Sequence, residues 1–208
     1  AYLMGNLGTE FVYMPKDDGS HYVDAIIYSD NKEVATVVGT YRSEGDGYLD
    51  AKLEMDDLPM TVLNGFIPDQ VVGFEGVADG NLDIRGQLSK PHVDGTLVLD
   101  TAYLVSEPYG MRLRLDTTPI QVKGSNVNFK NFNLYSTTDN PLVINGDVDF
   151  ADLDKINLNI RLAAKNFMLI NSKEQRRSEA YGKGYVDIMG FLRGSLDYLR
   201  LRGRMDVL

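Results

Sequence analysis

Four carboxylates recur in one local pattern. Asp50, Asp83, Asp149 and Asp187 each follow a Gly, a free position and an apolar residue, in "GYLDA", "GNLDI", "GDVDF" and "GYVDI". Aligned on one sheet face, such a ladder would offer oxygen ligands to calcium or hydrogen-bond acceptors to a glycan. Each Asp is flanked by residues that would point to the opposite face of a strand, so simple solvent exposure is the expected role. His21 and His92 stand in different contexts, without a Ser or Cys spaced to work with them, and read as structural imidazoles. The acidic clusters "KDDGS" (Lys16 to Ser20) and "EMDD" (Glu54 to Asp57) lack the ligand spacing of a calcium loop and read as a turn and a helix cap. "GKGYVDIMG" lacks the length and the following helix of a phosphate loop. "KEQRR" (Lys173 to Arg177) is the one basic cluster and reads as a solvated loop. No enzyme, cofactor or metal is expected from these residues.

The bulk composition narrows the classes further. A formal charge of −9 repels phosphate backbones, so nucleic acid is not an expected partner. With no cysteine, thiol chemistry and thiolate metal sites are excluded. No apolar stretch approaches the roughly 20 residues of a membrane-spanning helix. The first residue is Ala and the chain ends in the strand-like "RMDVL", from which we expect a piece of a longer protein.

The elements that must carry these residues are strands. In "INLNIRLAA", Ile156, Leu158, Ile160 and Leu162 alternate with Asn157, Asn159 and Arg161, which makes one face apolar and the other polar. The same alternation runs through "GTLVL", "MRLRLD", "IQV", "NVNFKNFNLY" and "LRLRGRMDV", separated by turn residues such as "SKP", "DTTP" and "KGSN". About a dozen short strands are expected. One stretch, "DDLPMTVLNGFIPDQ", predicts a short helix near 58–67, capped by Asp57 and stopped by Pro68. The change of character there places a boundary between an N-terminal β repeat segment, 1–56, and a longer β segment, 57–208.

In "GNLDIRGQL" an extended backbone sets Leu82, Ile84 and Leu88 on one face, with Gly80 and Gly86 notching that row. "GYVDIMGFL" repeats the arrangement from Gly184, and shorter copies start at Gly47 and Gly146. Repeated glycines inside strands predict bends or close backbone approaches that curve a sheet. An apolar face of a sheet must be covered, and this chain lacks the helices to cover it. The alternatives are an ordinary packed β core or an incompletely filled groove. The expected class is therefore all-β, with a curved, elongated sheet.

A family resemblance accompanies these features. The segments "LPMTVLNGFIPD", "GNLDIRGQLSKPHVDGTLVLDTAYL", "LVINGDVDF", "INLNIRLAAKNFMLIN" and "GYVDIMGFLRGSLDYLRLRGRMDVL" resemble the C-terminal region of TamB-type translocation and assembly modules, related to the AsmA-like lipid transporters. The resemblance implies that the curved sheet folds into an apolar trough, taco-like or as an open β-sandwich, in the periplasm, within a Gram-negative protein anchored to the inner membrane by a region outside this chain. It further implies phospholipid or another acyl-chain ligand as cargo, a TamA-type outer-membrane barrel as partner, and a role in outer-membrane biogenesis and protein secretion. The residues expected to line the groove are Leu82, Ile84, Leu97, Leu99, Val148, Phe150, Ile156, Leu158, Ile160, Leu162, Val186 and Ile188. Two other readings stay open: an interaction module that pairs its sheet edges with another protein, and a carbohydrate-binding protein using the Asp ladder.

Overall fold

A computed structural model describes residues 6–66, 72–107, 110–172 and 182–208. The chain is all-β. Thirteen antiparallel strands form one sheet: β1 (Leu7–Pro15), β2 (His21–Ser29), β3 (Lys32–Arg42), β4 (Tyr48–Pro59), β5 (Gly73–Gln87), β6 (Lys90–Ser106), β7 (Met111–Leu115), β8 (Ile120–Lys123), β9 (Asn126–Tyr135), β10 (Leu142–Asp149), β11 (Asn157–Ser172), β12 (Gly182–Ser195) and β13 (Arg200–Val207). The order is sequential from β1 to β7 and from β9 to β13, with β8 lying between β6 and β9. Alternating apolar and polar residues joined by tight turns specify such a meander, because each strand finds its partner in the next one along the chain. Asp30 and Asn31, both at positive φ, close the β2–β3 hairpin, and Gly124 and Ser125 do the same between β8 and β9.

β7 and β8 are two halves of one interrupted strand. β6 pairs with β7 at one end and with β8 at the other, and both halves pair with β9. The break is "DTTP", where Asp116 substitutes for the missing backbone: its Oδ2 accepts the Asn133 backbone N–H at 3.2 Å, and its Oδ1 accepts the Thr118 N–H at 2.9 Å. Burial pushes the Asp116 carboxyl up, but these hydrogen bonds outweigh it and hold the group below its ordinary value.

The expected helix is present in shortened form. Met60–Phe66 is a 3-10 helix, and Pro68 lies outside the described residues. Asp57 does not cap it. Asp57 sits in β4 at φ 59°, where the pairing with β5 slips between Met55 and Leu58, and its N–H is taken by the Asp79 side chain at 2.8 Å. An acidic residue before an apolar run signals a cap, yet the same short side chain tolerates the left-handed backbone of a bulge, and here the sheet prevails. The expected boundary between residues 56 and 57 falls inside this strand, at the register slip.

The main buried cluster draws on β6 to β12. Leu99, Ala102, Leu113, Leu115, Ile120, Phe132, Leu134, Ala164, Phe167 and Val186 form it with Met60 of the short helix, and Phe167 is fully buried. β6 and β11 are not sheet neighbours, so this face is buried against itself.

Candidate functional site

The strand registers define one apolar face across the entire sheet. Following directly paired residues from β1 to β12 gives Phe11, Ala25, Val37, Leu53, Leu82, Gly95, Val122, Val127, Val148, Leu158 and Gly194. Every member is apolar or Gly. Directly paired residues share a face, so this row is a physical line of side chains and not a sequence pattern alone.

Ten of the twelve expected lining residues lie on that face. Ile84 is one step along from Leu82; Leu97 and Leu99 follow Gly95; Ile160 and Leu162 follow Leu158. Ile188 pairs with Ala164, and Val186 pairs with Phe167 across a register shift. Phe150 and Ile156 fall just outside β10 and β11. Their backbones are nonetheless fixed: the Phe150 N–H donates to Ser125 O at 2.9 Å and Ile156 O accepts the Leu196 N–H at 3.1 Å. Ser125 is fully buried and also ties the β8–β9 turn to β6, accepting the Val93 N–H at 2.8 Å and donating to Pro91 O. Nothing in "KGSN" distinguishes such a hub from an ordinary turn serine.

The face is not uniformly open. Leu99 and Val186 belong to the packed cluster, Leu97 and Ile188 lie against it, and Ile160 is buried. Leu99, Ile160 and Val186 were expected to line a groove and are buried, while Leu97 and Ile188 are partly buried. The reason is the bend of β11 at Asn166, which carries Phe167 inward where it fills the space between the strands. Toward the other end Leu82, Ile84, Val148, Phe150, Ile156, Leu158 and Leu162 stay half-buried. At the edges the apolar side chains are uncovered, with Phe11 69% exposed and Leu201 69% exposed.

The bends come from a device that recurs three times. A residue at positive φ interrupts a strand, and its N–H donates to a side chain on the following strand. Asp57 N–H goes to Asp79 at 2.8 Å, Asn131 to Asn145 at 2.8 Å, and Asn166 to Asp187 at 2.7 Å. The glycines of the repeated pattern act differently. A Cβ on Gly80 would meet Thr96 O at 2.1 Å and one on Gly146 would meet Asn159 O at 2.0 Å, so both permit close backbone approach. Gly47 lies in a turn and Gly184 at the start of β12, so the four copies do not occupy equivalent places.

The chemistry-bearing side chains are held apart. Asp50 pairs with Arg85 at 3.7 Å and Asp83 with Lys52 at 3.9 Å. Asp149 accepts the Ala151 N–H, and Asp187 holds the Asn166 bulge. No ladder forms among them. His92 meets Asp94 at 2.9 Å, while His21 stacks on Tyr13 with ring centroids 4.5 Å apart. Asp56, Asp57 and Asp79 do converge, but Asp57 binds Lys32 and Asp79 holds the Asp57 N–H. "KDDGS" is the β1–β2 turn, where the Ser20 hydroxyl and N–H lower the Asp18 pKa. "KEQRR" lies outside the described residues.

No protein-family model matches the chain, and no curated protein or solved structure does either.

Proposed function

We propose that this chain is a segment of a periplasmic envelope protein whose apolar β-face carries phospholipid acyl chains between the inner and outer membranes, supporting outer-membrane biogenesis without catalysing a reaction. The observation that supports this reading is the apolar row, uninterrupted from β1 to β12 and half-open over Leu82, Ile84, Val148 and Leu158. Transfer from water to such a face stabilises an acyl chain by about 0.8 kcal/mol per CH₂, while the headgroup stays in water. The strand-by-strand width lets a chain slide from one half-buried side chain to the next without a deep minimum.

The test is Leu158→Asp in the complete envelope protein. Leu158 is half-buried, so a carboxylate there reaches the face and keeps contact with water, unlike one at Ile160, which is 6% exposed. The expected result is loss of lipid transfer and of co-purifying phospholipid by mass spectrometry, with strand content by circular dichroism unchanged. Wild-type lipid transfer in that variant overturns the proposal.

A second reading has its own support. Among the described residues β1 pairs only with β2 and β13 only with β12, so each edge leaves a row of backbone groups without a strand partner there. A strand of a TamA-type barrel or of a client would extend the sheet there. Photocrosslinkers separate the two readings: lipid adducts at position 158 support the conduit, and peptide adducts confined to β1 or β13 support pairing.

A further inference from the structure

The outer face of β11–β13 carries a basic lattice that no carboxylate among the described residues neutralises. Arg161 of β11 lies opposite Phe191 of β12, which lies opposite Arg202 of β13. In the next row Arg193 lies directly opposite Arg200. Four arginines thus surround one phenylalanine. Like charges placed directly across a strand pair destabilise it, so the arrangement is unfavourable without a counter-anion. Between β4 and β5 on the polar side opposite charges face each other, Asp50 with Arg85 and Lys52 with Asp83, whereas Asp187 faces Asp206 and Asp83 faces Asp94. Among the described residues Arg161, Arg193, Arg200 and Arg202 have no carboxylate within ion-pair distance, and all four are exposed. Arg193 lies 4.9 Å from the Phe191 ring centroid, and Phe191, Arg193, Arg200 and Arg202 line an open cavity of about 410 Å³.

We propose that this surface docks on an anionic phospholipid bilayer, with the arginines taking headgroup phosphates. Guanidinium groups match phosphate oxygens in bidentate geometry. Apolar side chains stand exposed within the basic patch, Phe191 at 39% and Met189 at 58%, which suits the apolar boundary beneath a headgroup and not a free phosphate. The inner face of β13 adds Leu201 and Met205, so the edge strand is basic on one side and apolar on the other. The net charge of −9 opposes approach to an anionic surface on average and so favours orientations that present this patch to it. The inference rests on the outer face and does not depend on lipid in the groove.

The experiment is co-sedimentation with vesicles of equal parts phosphatidylcholine and phosphatidylglycerol, compared with pure phosphatidylcholine. Binding is expected only to the anionic vesicles, with loss at about 1 M salt, where the Debye length falls to roughly 3 Å. Arg200→Gln with Arg202→Gln should weaken it by on the order of ten-fold or more. Lys52→Gln with Arg85→Gln removes the same charge from neutralised positions and should leave binding within roughly two-fold. Equal loss in both double variants, or equal binding to both vesicle types, overturns the proposal. Calorimetric binding of inorganic phosphate without vesicle binding overturns it as well, in favour of a free-phosphate site. A chain with an empty groove would still pass, since co-purifying lipid reads the groove and sedimentation reads this face.

Discussion

At the scale of single residues, the side chains that matter most are those standing in for missing backbone. Asp116 is the clearest. It closes the gap between β7 and β8 by accepting the Asn133 and Thr118 N–H groups, and the Asn133 side-chain amide also donates to it at 3.3 Å. Asp116→Ala leaves a partly buried donor without an acceptor and should cost about 1–3 kcal/mol in denaturant unfolding. The pH dependence follows from the lowered carboxyl pKa. A carboxylate with a depressed folded pKa contributes stability that is fully present above its unfolded value, about 3.9, and is lost as pH falls through the folded value. The gap between wild type and Asp116→Ala should therefore be widest near neutrality and narrow below about pH 4. A gap that stays constant down to acid pH would show that the charge contributes nothing. "DTTP" reads in the sequence as a turn between strands, because Asp and Pro favour turns in general. Only the pairing of both flanking halves with β6 and β9 reveals an interruption within one strand.

At the scale of elements, the sheet is shaped by bulges whose donors are capped from the next strand. Asn166 is the one with most leverage, since the bend it creates sends Phe167 into the core. At φ 46° the residue is in the left-handed region, which Gly and Asn adopt at little cost and a β-branched residue does not. Asn166→Gly should stay within about 0.5 kcal/mol of wild type, while Asn166→Val should lose about 1–3 kcal/mol. Equal stability of the two variants would remove the bulge from the account of the fold. Asp187 was singled out in the sequence through its Gly-x-apolar-Asp setting, with solvent exposure as its expected role; it faces the polar side and holds the Asn166 N–H there. Its function as a bulge cap was invisible because Asn166 lies on a different strand, brought alongside by register alone.

For the molecule as a whole, stability is distributed unevenly. Among the described residues the main buried cluster includes no side chain of β1–β4 or β13, and the exposed large apolar side chains concentrate on β1, β12 and β13. Edge strands have hydrogen-bonded neighbours on one side only and so open at lower free energy than strands paired on both sides. Hydrogen exchange should therefore be slowest for β6, β9 and β11 and fastest for β1 and β13. Uniform protection would mean that the sheet opens as one unit, and that its edges are as tightly held as its centre.

Period-two patterning alone determined the all-β class, the succession of strands and the two-faced character of the sheet, because side-chain alternation is a local property of extended backbone; that β5, β6, β11 and β12 run 14–17 residues, longer than the short strands expected, it did not show. It also identified residues that share the apolar face, including Leu82, Ile84, Leu158 and Leu162, since pairing consecutive strands preserves alternation from one to the next. Which part of that face is closed was decided by tertiary structure. Leu99 and Leu158 have the same local pattern, yet one is core and the other half-open, because burial depends on what the bend at Asn166 brings across from a strand far along the chain. The arginine lattice has the same origin: Arg161, Arg193, Arg200 and Arg202 come from three strands, and only register places them side by side.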